Sequence, residues 1–269
     1  MILTEPQQYQ QYVTFDMDGQ YIAHYKGLTL RSVFQPIFSR TQRMVGVEAL
    51  VRIHTHYHTQ IRPDIFFHSD QYGLIDKLNV EYLSRILHLR NFSISCFRHL
   101  KLFLNVLPLS GNAVNQSISD SLLSHRLDEL GLSHDQVVME LVELASDDDV
   151  QLQRATRQLS THGYRIAIDD FGCQASNQAR VDLLCPDIIK FDRHLLAEYM
   201  QGNTALLLNA MNVAKRANAM TVVEGIETES QLRAMQALDI DMFQGYYLGM
   251  PEAIVPIGGS ASIKMAIGQ

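Results

Sequence analysis

The run YRIAIDD (164–170) is an apolar, β-rich segment that closes on two adjacent carboxylates, Asp169 and Asp170. Such a run reads as a buried strand. The same pattern recurs along the chain. Apolar runs close on Glu48 (VGVEAL, 45–50), Asn105 (KLFLNV, 101–106), Glu140 (QVVMEL, 136–141), Lys190 (DIIKFD, 187–192), Glu224 (TVVEG, 221–225) and Gln244 (MFQGY, 242–246). Amphipathic or capped segments of helical length separate most of them. That alternation predicts an α/β fold, a (β/α)8-type TIM-like barrel with its helices outside the sheet. In such a barrel, functional side chains gather where strands end. A solvent-facing strand position would account for Glu48 alone; it does not account for the recurrence on successive strands. Five carboxylates, beside two amides and a lysine on one rim, would repel one another unless cations were bound, so the pattern points to a metal-dependent active site.

With 269 residues, 46% hydrophobic and 19% charged, the chain suits one barrel-sized globular domain. A net charge of -7 argues against a broad basic surface for duplex nucleic acid. It leaves room for a small anionic ligand, because bound metals invert the field inside a pocket. Cys96, Cys173 and Cys185 form no CxxC pair, which disfavours a disulfide framework or a zinc ribbon. No apolar run approaches the ~18 residues of a membrane span, and MILTEPQQYQQY (1–12) has neither the basic nor the apolar part of a secretory signal. A cytoplasmic protein with no membrane partner is the expectation.

Residues 1–28 read as an N-terminal arm or small hairpin with a turn at Asp18-Gly19. Residues 29–252 read as the barrel domain, and 253–269, small and Gly/Ser-interrupted, as a tail. VFQPIF (33–38) is the first strand, with Pro36 expected to restrict it to an edge or a strand end. Residues 53–62 are expected to form a polar loop, and Pro63 suits the first turn of a helix. In GLIDKLNVEYLSRILHL (73–89), Leu74, Ile75, Leu78, Tyr82, Leu83, Ile86 and Leu87 would form one helical face. Ser146 before Asp147, Asp148 and Asp149 is an expected N-cap with an acidic first turn, and Thr228 with Gln231 an expected capping box.

These motifs also spell a family signature. QPI (35–37), EALVR (48–52), Pro63 to Phe66 leading to Gly73-Leu74-Ile75, FLNV, MELVE, DDFG, IIKFD, VEGIET and QGYYLGMP stand in order from about Leu28 to Pro251. The chain resembles the EAL-domain family of bacterial phosphodiesterases that open cyclic di-GMP. The resemblance implies that Glu48, Asn105, Glu140 and Asp169 hold one divalent metal, and that Asp169 bridges to a second held with Asp170 and Glu224. It implies that Lys190 contacts the attacking water, that Gln244 lies beside the metals, and that Gln35 and Arg52 contact substrate, with Glu48 and Glu224 serving catalysis. Glu143 would anchor the loop after DDFG. Mg²⁺ or Mn²⁺, two per site, would be the cofactors, Ca²⁺ an inhibitor, cyclic di-GMP the ligand and a homodimer the assembly.

The chemistry is intelligible from the residues. Oxygen donors without Cys or His at the strand ends suit Mg²⁺ or Mn²⁺ rather than zinc. Two metals sharing a carboxylate can assist both attacking and leaving oxygens of a phosphodiester. A structural ion pair with Asp192 or another carboxylate is the plainer reading of Lys190. The loop after DDFG departs from the family pattern, reading Cys173-Gln174-Ala175-Ser176-Asn177 where a glycine and paired serines are usual. That departure keeps a second class open, an EAL-fold cyclic di-GMP receptor or protein-interaction module with weak catalysis. FDMDG (15–19) resembles the nucleophile motif of haloacid-dehalogenase-like phosphatases. It continues with Gln20 where those enzymes carry Thr or Val, and is expected to be a turn. His54, His56 and His58 alternate, yet a solvated loop is the expectation over metal capture.

Overall fold

The structure, a computed structural model, describes residues 2–3, 6–106, 120–142, 149–172 and 178–254. Its sheet follows the expected alternation. β3 (Leu28–Ser39), β4 (Met44–Thr55), β6 (Lys101–Val106), β7 (Val137–Val142), β8 (Arg165–Phe171), β9 (Ile188–Phe191), β10 (Met220–Val223) and β11 (Met242–Phe243) close into an eight-stranded barrel. From β4 to β11 the ladders within the barrel are parallel, whereas β3 pairs antiparallel with β4 on one side and β11 on the other. The fold is thus a mixed TIM-like barrel with one reversed strand. No helix among the described residues is long and apolar enough to cross a membrane.

Pro36 is not at a strand end. It sits inside the 12-residue β3, opposite Val47. Alternation along the strand explains why this is tolerated. The Phe34 N–H points away from β4 to the Glu252 carbonyl, so position 36 presents its missing N–H to that same side and costs the β3–β4 ladder nothing.

Before the barrel, β1 (Val13–Phe15) and β2 (Tyr21–Tyr25) form a hairpin that extends the sheet beyond β3. Phe15 ends β1 and residues 16–20 make the turn, where Asp16 Oδ1 accepts from the Asp18 and Gln20 N–H groups and Asp16 Oδ2 pairs with Arg31 at 2.7 Å. The arm is packed rather than loose. Leu3, Tyr9, Ala23 and Tyr25 join Val80, Leu83 and Leu87 of the helix Leu74–Ser93 in a second core. That helix runs between this core and the barrel's, where its Leu89 and Phe92 pack. It is therefore buried around most of its girth from Leu78 onward, while Leu74 and Ile75, expected on its apolar face, are half exposed ahead of the sandwiched stretch.

The polar loop expected at 53–62 is instead a hairpin, because β4 runs on to Thr55 and pairs with β5 (Gln60–Ile61). His54 lies on the strand and His56 and His58 on the exposed turn. Thr228 and Gln231 form the expected capping box. The expected Ser146 cap and the tail beyond residue 254 lie outside the described residues.

Candidate active site

One apolar layer explains how the polar residues come together. Ile37, Phe103, Val138, Ala167, Ile188, Val222 and Met242 form a buried cluster with one member from each barrel strand except β4. Side chains two apart on a strand share a face. Two residues further on, toward the same rim, stand Asn105, Glu140, Asp169, Lys190, Glu224 and Gln244; on the reversed β3, Gln35 stands two residues earlier. On β4 that place belongs to Glu48, directly opposite Gln35. Glu48 is mid-strand, yet its parallel ladder with β6 stops at Ala49, so it marks the barrel rim all the same.

Asp170 needs a different account, since strict alternation would turn it away from Asp169. It adopts φ +54°, and the β8–β9 register breaks between Ile168 and Phe171. This irregularity lets both carboxylates of the DD pair reach the rim. Oxygens of Asp169, Asp170 and Glu224 lie within 4.8 Å of one another. The loops after β10 and β11 interlock behind them: Ile226 N–H donates to the Gln244 carbonyl, and Gln244 N–H to that of Val223. Gly245 permits this approach, because a Cβ there would stand 2.1 Å from the Ile226 carbonyl oxygen.

The Lys190 side chain, 1% exposed, is the hub. Its Nζ lies 2.6 Å from Glu140 Oε1, 2.7 Å from Glu224 Oε1, 2.8 Å from Asp169 Oδ1 and 3.5 Å from Glu48 Oε2. Gln244 Nε2 donates to Glu48 Oε2 at 2.7 Å, and Asn105 Nδ2 to Glu48 Oε1 at 3.0 Å. Of the plainer reading of Lys190, an ion pair with Asp192 or another carboxylate, the geometry shows the second form, with Glu140, Glu224 and Asp169 as partners. Asp192 instead caps the helix Arg193–Met200, accepting from His194 N–H.

One ammonium does not neutralise this much buried carboxylate. Burial, then Glu48, push the Glu140 carboxyl well above its usual range. Burial, with Asp169 and Glu48 behind it, pushes Glu224 up to about 8 against the pull of Lys190. Asp170 rises to about 6, through burial and then Asp169. Burial would lift Glu48 too, but Lys190, Gln244 and Asn105 outweigh it and hold that carboxyl low. Burial likewise opposes the charge on Lys190, and the surrounding carboxylates, Asp169 first, overcome it. Glu140 Oε2 and Gln244 Oε1 are buried with no hydrogen-bond partner. Orphaned acceptors among hard oxygen donors fit a divalent metal such as Mg²⁺ or Mn²⁺.

The rim opens into a cleft of about 440 Å³ that reaches Gln35, Asp170, Glu224 and Gln244. Asp192, Glu227 and Tyr246, inside the IIKFD, VEGIET and QGYYLGMP motifs, and Arg193, next to the first of them, also line it. Gln35 Nε2 donates to the Gly249 carbonyl at 3.3 Å. Arg52, half-buried, lies away from this cleft on a neighbouring cavity that also touches Glu48 and Asn105. Glu143 and the loop 173–177 lie outside the described residues. The metal-capable group found among the described residues contains no histidine.

The model of the EAL domain matches residues 25–251. The chain belongs to the EAL-domain family. It is 27% identical over 225 residues to the probable cyclic di-GMP phosphodiesterase PdeD of Escherichia coli, covering 81% of this chain and 40% of PdeD. The chain spans between 28% and 42% of the length of the first relatives it matches. Bacillus subtilis YkuI, solved with its EAL domain in complex with cyclic di-GMP and calcium, superposes with a TM-score of 0.71 at 28% identity, over 83% of this chain and 56% of that one. Klebsiella pneumoniae BlrP1, solved as a manganese and cyclic di-GMP complex, shares the fold with a TM-score of 0.72 at 23% identity, over 86% and 58% of the two chains.

Proposed function

We propose that this EAL domain hydrolyses cyclic di-GMP to linear pGpG, with two Mg²⁺ or Mn²⁺ ions, as a cytoplasmic homodimer. The observation that carries the reading is the surplus of buried carboxylate around Lys190, which calls for divalent cations at the place where barrel chemistry sits. Glu48, Asn105, Glu140 and Asp169 would hold one ion, and Asp169, Asp170 and Glu224 the other. When bound, the ions supply Lewis-acid stabilisation of the attacking and leaving oxygens.

The chain's own residues supply the rest. Gln244 and Asn105 fix the Glu48 carboxylate from both of its oxygens, so its lone pairs are oriented before any ligand arrives. The Lys190 ammonium sits where negative charge would grow in the transition state, and it would orient the attacking water. Gln35 and Arg52 would hold the substrate from the β3–β4 side. Ca²⁺, with longer and looser coordination, would spoil the compact geometry and inhibit.

The test is product analysis on purified protein. Linear pGpG with Mg²⁺ or Mn²⁺ supports the reading, while retained binding without product places the chain among EAL-fold receptors.

A further inference from the structure

Lys190 is not the only cation on the wall of the acidic cleft. Arg193, three residues further along the chain, also lines it, and the two are placed very differently. The Lys190 side chain is 1% exposed and enclosed by Glu140, Glu224 and Asp169. Arg193 is exposed, and its guanidinium makes no ion pair or hydrogen bond among the described residues. An exposed arginine is ordinarily just solvated. This one stands on a wall to which Glu48, Asp169, Asp170, Asp192, Glu224 and Glu227 all contribute carboxylates, and it pairs with none of them. Asp192, its chain neighbour, accepts from the His194 N–H instead. The stem of Arg193 is held in place, because it packs so close to Gly225 that a Cβ added there would stand 2.4 Å from the Arg193 Cβ. A free guanidinium is thus tethered beside Glu224 on the accessible wall.

The order of the barrel strands gives this wall a side. Counted round the closed sheet in either direction, β9 is the fourth strand from β4, so Arg193 looks across the rim toward Glu48. Arg193 follows β9, the strand that carries Lys190. In the proposed reaction Lys190 orients the attacking water, so the water approaches the phosphate from the β9 side. Its oxygen bonds to phosphorus as the P–O3′ bond breaks. One of its protons ends on O3′ and the other, above the second phosphate pKa of about 6, leaves to solvent. Cyclic di-GMP carries two phosphodiester charges. Linear pGpG keeps one of them and gains a terminal phosphate of nearly two, about one more charge in all. That extra charge is shared with the new oxygen, on the β9 side. Of the two cations lining the cleft, Arg193 is the one not already enclosed by carboxylates. A guanidinium fork also suits the oxygens of a phosphate monoester.

We infer that Arg193 is a product-binding residue, its guanidinium pairing with the terminal phosphate of linear pGpG and retaining the product after cleavage. The inference rests on the phosphodiesterase reading, and it adds to that reading a residue that tells product from substrate.

The experiment measures binding of three ligands to the full chain by calorimetry, with Ca²⁺ present to suppress turnover. They are linear pGpG, GpG, which lacks the terminal phosphate, and cyclic di-GMP. Arg193→Gln should weaken pGpG about tenfold and the other two by less than about threefold. Arg193→Lys keeps the stem beside Gly225 and the charge but loses the fork, so it should weaken pGpG by about threefold and leave GpG as it was. Circular dichroism shows whether the Gln variant folds, and if it does not, the Lys variant decides. Wild-type protein that binds no cyclic di-GMP would overturn the phosphodiesterase reading and this inference with it. Wild-type binding of cyclic di-GMP, with all three ligands weakened equally or with pGpG unchanged in the folded variants, would overturn this inference alone.

Discussion

Lys190 and Arg85 are both buried cations, and they live in opposite circumstances. The Lys190 ammonium faces Glu140, Glu224 and Asp169 within 2.8 Å, and Glu48 at 3.5 Å. Arg85 meets Glu81 at 2.6 Å, within one helix. At the rim the imbalance forces protons onto buried carboxyls, as with Glu224 at about 8. Beside the helix pair, burial and then Arg85 keep the His88 imidazole neutral. A surplus of one sign marks a place that needs ions from outside. The two cations lie on either side of Glu48, which borders both cavities.

The sharpest way to break this contrast is at that shared residue. Glu48→Ala removes a carboxylate held by Gln244 and Asn105, and it should abolish both metal binding and turnover, read by metal titration alongside product assay. Lys190→Ala comes next. It should keep the fold in the presence of metal and much of the nucleotide affinity, yet lower kcat by about 10²–10³. Wild-type turnover in that variant would remove Lys190 from the chemistry.

The helix side is tested through pH. The His88 imidazole is neutral in the fold, with its pKa at about 3 against an ordinary 6.5. A depressed histidine contributes stability that is present above about pH 6.5 and is lost as pH falls toward 3. That loss amounts to about 2 kcal/mol by pH 5. His88→Gln should therefore flatten the acid side of a Tm-against-pH curve in that window. An identical slope in variant and parent would show that His88 titrates normally. The smallest effect is expected at the arm. Asp16→Asn keeps the Oδ1 acceptor of the hairpin turn and loses only a partly exposed ion pair with Arg31, so phosphodiesterase activity should be nearly unchanged and stability should fall by less than about 1 kcal/mol.

The contrast also separates what was legible in the sequence from what was not. The barrel and its rim were legible because period-2 alternation places each polar residue two positions beyond an apolar one, strand after strand, from Phe103 and Asn105 to Met242 and Gln244. Pro36 misled because propensity alone does not tell which side of a strand a missing N–H faces. The approach of Asp170 to Asp169 rests on a positive φ that no side-chain pattern announces. Leu74 and Ile75 were placed on a buried face because helical periodicity assumes one partner, whereas this helix packs between two cores.

The surplus of carboxylate at the rim is the central claim, and incubation of purified protein with cyclic di-GMP and each of Mg²⁺, Mn²⁺ and Ca²⁺ tests it most directly. Linear pGpG should accumulate with Mg²⁺ and Mn²⁺ and be suppressed by Ca²⁺. Cyclic di-GMP left intact under all three ions, at high protein concentration and with binding retained, would contradict the account.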